Sequence, residues 1–268
     1  MTHMAITTQF FLWSQITLLW ALLSYGVGTD PLPEDVGQGK GFAWKSRAGF
    51  LAARAAIAAL IAFAMSHSLL VVIGVLVGIA FLPYLRRTLS STWTTAVEVC
   101  CPAAFLGYIF WVIEHFKLSL HWDPIELPLT AEHLSALCIT LAIFLMVVRG
   151  GTYMVKGLLK LADVLPQKNS AVDEKEVSRG RLIGNVERLI LTFVTAAGSY
   201  AALGFLIAAK GFVRAKEFED PERNRDFTEY FLVGSLASVL IALIAGLIIR
   251  FALLALWPEL LSLQMQSS

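Results

Sequence analysis

The sequence predicts an all-α bundle of about seven transmembrane helices, with six as the rival count. Three observations predict it. Of 268 residues, 57% are hydrophobic and only 15% are charged, against about 25% charged in soluble domains. The mean hydropathy is +0.70. Apolar runs of roughly 20 residues, enough to cross about 30 Å of hydrocarbon at 1.5 Å per residue, recur along the chain. The lipid bilayer is therefore the first expected partner. The 21 Lys and Arg nearly balance the 20 Asp and Glu, so no overall basic field draws the chain to nucleic acid.

The first span covers residues 8–27. It opens without a Lys/Arg n-region and closes without a small-residue cleavage site, so it reads as a retained helix rather than a signal peptide. Spans over 48–65 and 68–85 follow, joined by a tight Ser66-His67-Ser68 turn. Thr95 and Glu98 are spaced as a capping box, and they open a fourth span that ends near His115. The fifth covers 132–154, the sixth 182–209 and the seventh 227–257, the last preceded by the cap-like Asp226-Phe227-Thr228-Glu229. One helical domain over 1–268 is expected, with 158–180 as its largest solvated loop, on the cytoplasmic side.

Orientation follows from the loops, because loops rich in Lys and Arg stay cytoplasmic. Lys40, Lys45, Arg47, Arg86, Arg87, Lys156, Lys160, Lys168, Lys175, Arg179 and Arg181 fall on one side of a seven-span chain. That side is cytoplasmic, which sets the amino terminus outside and the carboxyl terminus inside. The loop 210–226 is the misfit. It carries Lys210, Arg214, Lys216, Arg223 and Arg225 yet would face outside, so either its five acids soften the bias or one segment fails to cross.

An ionisable side chain inside a membrane helix costs roughly 2.5–3.5 kcal/mol at the helix centre. Arg54, Glu98, Arg149, Glu187, Arg188 and Arg250 are the main cases. Arg54, Glu98 and Arg149 lie close enough to helix ends for snorkelling or capping to explain them. His115, His121, Asp123, Glu126, Glu132 and His133 gather around the fourth loop, and imidazole with carboxylate can ligate a transition metal. Their spacing matches no specific site, so a hydrated polar loop is the plainer reading, and no metal site or cofactor is assigned. The three cysteines, Cys100, Cys101 and Cys138, form no disulfide framework. No phosphate-cradling loop, nucleophile elbow or zinc-protease helix occurs, so no catalytic residue is named and an enzyme is the lesser expectation.

Small residues at four-residue spacing let membrane helices approach closely. Gly74 with Gly78 forms one such pair, and Gly234, Ser238, Ala242 and Gly246 form a longer stripe. Packing inside the chain is the first reading, and a homo-oligomer the second.

Three stretches in order, Gly180-Arg181-Leu182-Ile183-Gly184-Asn185-Val186-Glu187-Arg188-Leu189-Ile190, Gly204-Phe205-Leu206-Ile207-Ala208-Ala209-Lys210 and Glu229-Tyr230-Phe231-Leu232-Val233-Gly234-Ser235-Leu236, resemble the carboxyl-terminal hairpin of a family of bacterial inner-membrane proteins without an assigned activity. The hairpin occupies 180–257. That family opens with a His-Leu, Asp-Phe and Gln pattern, where this chain has Phe10-Phe11-Leu12-Trp13-Ser14-Gln15, so the resemblance is confined to the carboxyl end. It implies a bacterial inner-membrane location and a role for Glu187, Arg188, Lys210 and Glu229.

If segments six and seven form an antiparallel pair, facing positions have a constant sum. That register sets Glu187 opposite Arg250 and Lys210 opposite Glu229, with Arg214 and Tyr230 at the second cluster, and brings Gly204, Ala201 and Ala196 against Gly234, Ala237 and Ala242. It also separates Glu187 from Lys210 by about 35 Å on a straight helix. Two functional readings follow. The first is a partner, scaffold or accessory subunit that docks another membrane protein or a second copy. The second is a small-solute or ion transporter using Glu187, Arg188 and Arg250. Helix centres nearly free of charge, with no inverted repeat, favour the first.

Overall fold

The computed structural model describes residues 2–25, 40–88, 93–118, 130–163, 174–218 and 225–259. Among them every regular element is helical. The helices are α1 (Thr2–Tyr25), α2 (Lys40–Ser66), α3 (Leu69–Thr88), α4 (Thr94–His115), α5 (Ala131–Leu145), α6 (Gly151–Leu161), α7 (Glu174–Ala197), α8 (Tyr200–Phe218) and α9 (Arg225–Leu256). A π-helical turn over Met146–Gly150 joins α5 and α6 into one continuous rod, so the described helices number eight. Three are long and apolar enough to cross a membrane: Thr95–His115, the rod Ala131–Leu161, and Leu232–Leu256. They mark a membrane protein.

The eighth helix comes from the expected sixth span. Residues 182–209 are two helices, because α7 stops at Ala197 and α8 starts at Tyr200. The chain reverses through Gly198, whose φ of +74° a residue with a Cβ adopts only under strain. The Gly198 amide donates to the Thr195 carbonyl at 2.9 Å and the Ser199 amide to the Val194 carbonyl at 3.2 Å. These are the paired bonds of a Schellman cap, which satisfy the last carbonyls of α7. The expected loop 158–180 is also shorter, since α6 continues to Leu161 and α7 begins at Glu174.

Two compact units divide the chain. The first contains Met1–Thr88 and Val99–Ala142. Helix α1 is its buried centre, with Leu12, Ile16, Ala21 and Tyr25 all enclosed. Trp20 stacks on Phe105 with ring centroids 4.7 Å apart. Gly78 makes that approach feasible: a Cβ there would sit 2.8 Å from both the Phe105 ring and the Trp20 indole nitrogen. Gly74 does the same for Tyr108, at 2.5 Å. The small pair on α3 therefore receives the aromatic face of α4 within the chain. Between α2 and α3 the turn runs through His67, at φ 46°, whose amide donates to the Phe63 carbonyl at 2.7 Å.

The second unit contains Leu89–Glu98 and Ile143–Ser268. Arg188 on α7 meets Ser238 on α9, and Thr195 meets Gly246, so the offset stays near fifty as both numbers rise. Helices α7 and α9 therefore run parallel, and α8 is the return arm between them. The antiparallel register expected of the last two segments fails for this reason. The stripe nonetheless finds neighbours: Ser238, Ala242 and Gly246 are buried, and Gly234 faces Leu159 and Val155 of α6. A Cβ on Gly246 would lie 2.5 Å from the Thr195 Cβ and 2.7 Å from the Thr192 carbonyl oxygen, so only glycine lets these backbones touch.

Candidate functional site

Arg188 on α7 is a buried charge, 4% exposed. Three helices supply its surroundings. Its Nη2 donates to the Thr152 hydroxyl of α6 at 2.8 Å and to the Asn185 amide oxygen, one turn back on α7, at 2.5 Å. Its Nη1 donates to the Ser238 hydroxyl of α9 at 3.4 Å. The Nε atom is buried without a hydrogen-bond partner. The Thr152 hydroxyl also lies 3.1 Å from the Asn185 amide oxygen, which ties α6 to α7 directly.

Local sequence explains the room for this side chain. Gly150 and Gly151 close the π turn and are buried, and a Cβ on Gly151 would sit 3.2 Å from Arg188 Nε. Any larger residue there would push the guanidinium aside. Single π turns recur where helices are adapted to function. Close by in the same unit, the Thr95 hydroxyl donates to the Met154 carbonyl at 3.0 Å. Glu98, one turn further along α4, is fully buried, so its carboxylate does not snorkel to water. Arg54, in the first unit, donates to the Leu23 carbonyl at 2.6 Å and so caps the carboxyl end of α1, where a cation complements the helix dipole.

The other expected site residues fall apart from Arg188. Lys210 Nζ donates to the Glu187 carboxylate at 2.6 Å, so residues expected about 35 Å apart are hydrogen-bonded across the α7–α8 hairpin. Arg250 does not face Glu187. Its Nη1 lies against Gly198 and reaches at 3.5 Å the carbonyl of Ala196, which is nine residues, or about 13.5 Å, along α7 from Glu187. The side chains of Arg214, Glu229 and Tyr230 lie outside the described residues, as do His121, Asp123 and Glu126. Among the described residues no three His, Cys, Asp or Glu are gathered to hold a metal ion.

Reading charges alone missed Thr152, Asn185 and Ser238, because neutral acceptors leave no charge pattern. The available signal was the four-residue step from Ser238 to Gly234 combined with Asn185 one turn before Arg188. What the arrangement provides chemically is a guanidinium with spare N–H capacity, held by neutral oxygens beneath the polar end of α7. No family model, curated protein or solved structure matches this chain.

Proposed function

We propose that the chain is a multi-pass protein of the bacterial inner membrane that serves as a partner or accessory subunit, docking through α8. The observation that carries this reading is the bareness of α8. None of its described residues from Tyr200 to Phe212 is buried, although the helix is apolar. Ala201, Gly204, Ala208 and Gly211 recur at three- and four-residue steps, all exposed, with Phe205 and Phe212 beside them at 73% and 81% exposure. A Cβ on Gly204 or Gly211 would meet nothing within 4 Å. Lipid gains nothing from glycine on a helix surface, whereas a second helix gains close backbone contact. The resemblance at the carboxyl end supports the inner-membrane location.

The alternative is a small-solute or ion transporter, and the placement of Arg250 against Ala196 and Gly198, apart from Glu187 and Arg188, weighs toward the partner reading. Purification in mild detergent from the native membrane tests the partner reading. Gly204→Leu with Gly211→Leu is expected to release a co-purifying protein or a second copy while the chain stays folded. An unchanged set of co-purifying chains and an unchanged oligomer would overturn it.

A further inference from the structure

We infer that the junction of α6 and α7 binds the phosphate group of an anionic phospholipid, with Arg188 as its deepest contact. The first support is the unmatched chemistry of that residue. Its three hydrogen-bonding partners, Thr152, Asn185 and Ser238, are all neutral, and Nε has none. The adjacent carboxylate of Glu187 is engaged by Lys210. Three neutral acceptors can be satisfied by a neutral amide such as glutamine, without the cost of desolvating a cation. A guanidinium repays that cost when an oxyanion meets its fork of N–H groups.

Depth provides the second support. The apolar part of α7 begins at Leu182, and the Asn185 bond shows the guanidinium reaching one turn back toward the amino end. It therefore lies about 4.5 Å beyond Leu182 along the axis. A lipid phosphate at the hydrocarbon boundary is within reach of a group at this level.

The third support is a basic approach. Gly151 backs Arg188 and Thr152 contacts Asn185, so α6 and α7 are antiparallel. Moving outward from Thr152, Lys156 and Lys160 follow on the same face of α6 at four-residue steps, and both are exposed. Thr152 and Asn185 are themselves only half-buried. Basic clefts between helices at the cytoplasmic face recruit anionic headgroups in this manner. The leaflet, though not the site, rests on the topology proposed for the protein.

The test uses the full-length chain in neutral detergent, titrated with phosphatidylglycerol, phosphatidylcholine or inorganic phosphate, read by melting temperature and by lipid retained in native mass spectrometry. Phosphatidylglycerol is expected to raise the melting temperature saturably and to be retained, while the other two are not. Lys156→Gln, outside the packed cluster, is expected to weaken that binding about fivefold, the attraction of one basic residue near a headgroup. Arg188→Gln is expected to abolish retention, and if it does not fold, Lys156→Gln with Lys160→Gln carries the test. Equal retention of phosphatidylcholine, protection by inorganic phosphate alone, or unchanged affinity in the lysine variants would each overturn the inference. None of these readouts depends on a protein partner, so failure here leaves the docking role of α8 standing.

Discussion

The Lys210 ammonium lies 2.6 Å from the Glu187 carboxylate, at matching heights on the two arms of the α7–α8 hairpin. Glu187 is eleven residues before Gly198 and Lys210 twelve after it. The ion pair therefore ties the two arms together midway along a hairpin whose tip is closed by the Schellman turn. With side chains 17% and 29% exposed, it is more sheltered than a surface pair.

A double-mutant cycle with Glu187→Gln and Lys210→Met is expected to give a coupling of about 1 kcal/mol, at the upper end for exposed pairs because water is partly excluded. Unfolding in detergent measures it. The exchanged pair, Glu187→Lys with Lys210→Glu, should recover most of the lost stability. Coupling indistinguishable from zero means the two arms do not rely on this pair.

Gly198→Ala is expected to destabilise the chain through two separable effects. The left-handed backbone costs about 1–2 kcal/mol for any residue with a Cβ, and that Cβ would also collide with the Arg250 guanidinium. In an Arg250→Ala background only the backbone cost remains, so the same substitution should hurt less there. Equal effects in both backgrounds argue against the Arg250 contact.

Glycines on α8 and α9 should behave in opposite ways. Gly246→Ala forces a Cβ against Thr195 and the Thr192 carbonyl, and backbone cannot step aside, so a loss of about 2 kcal/mol or more is expected. Ala242→Leu, at a fully buried position, should be worse. Gly204→Ala meets nothing, and it should leave the isolated chain unchanged or more stable by about 1 kcal/mol through helix propensity. Melting temperatures of the three variants in detergent rank them, and a Gly204→Ala loss equal to that of Gly246→Ala would remove the distinction.

The helical membrane class was legible because bilayer thickness imposes a length on apolar runs. The hairpin was not, since Ala197-Gly198-Ser199-Tyr200 carries no charge or proline to interrupt the hydropathy. Its trace was a 28-residue run, about 42 Å of helix, with a glycine near its middle. Missing that turn exchanged a constant-sum register for the actual constant offset between α7 and α9, and so mispaired Glu187 with Arg250. Arg188 was visible as a charged candidate and Ser238 as a packing residue, but their pairing, together with Thr152 and Asn185, was not. Thr152, Asn185 and Ser238 are chosen by where three helices cross, which no local pattern encodes.

The hairpin also resolves the misplaced basic loop. Because α8 returns beside α7 to the level of Glu187, the chain leaves the hairpin at the end where it entered. The first turn of α7, at Glu174, and the last turn of α8, at Phe218, therefore lie at the same end of the hairpin, whether it crosses the bilayer fully or turns within it. Lys175, Arg179 and Arg181 on α7 are then expected on the same side as Lys210, Arg214 and Lys216 on α8, as the positive-inside rule prefers. Helix α9 is long and apolar enough to cross, so the expected outcome is a carboxyl terminus on the periplasmic side. Cysteines introduced as Asp173→Cys and Asp220→Cys should both resist an impermeant thiol reagent added to intact cells, and alkaline phosphatase fused after Ser268 should be active. The expected ordering is strict, because an odd number of crossings in 182–218 would reverse both the second cysteine and the fusion together. Labelling at position 220 with an inactive carboxyl-terminal phosphatase would restore a single crossing in that segment and remove the hairpin from the membrane-embedded chain.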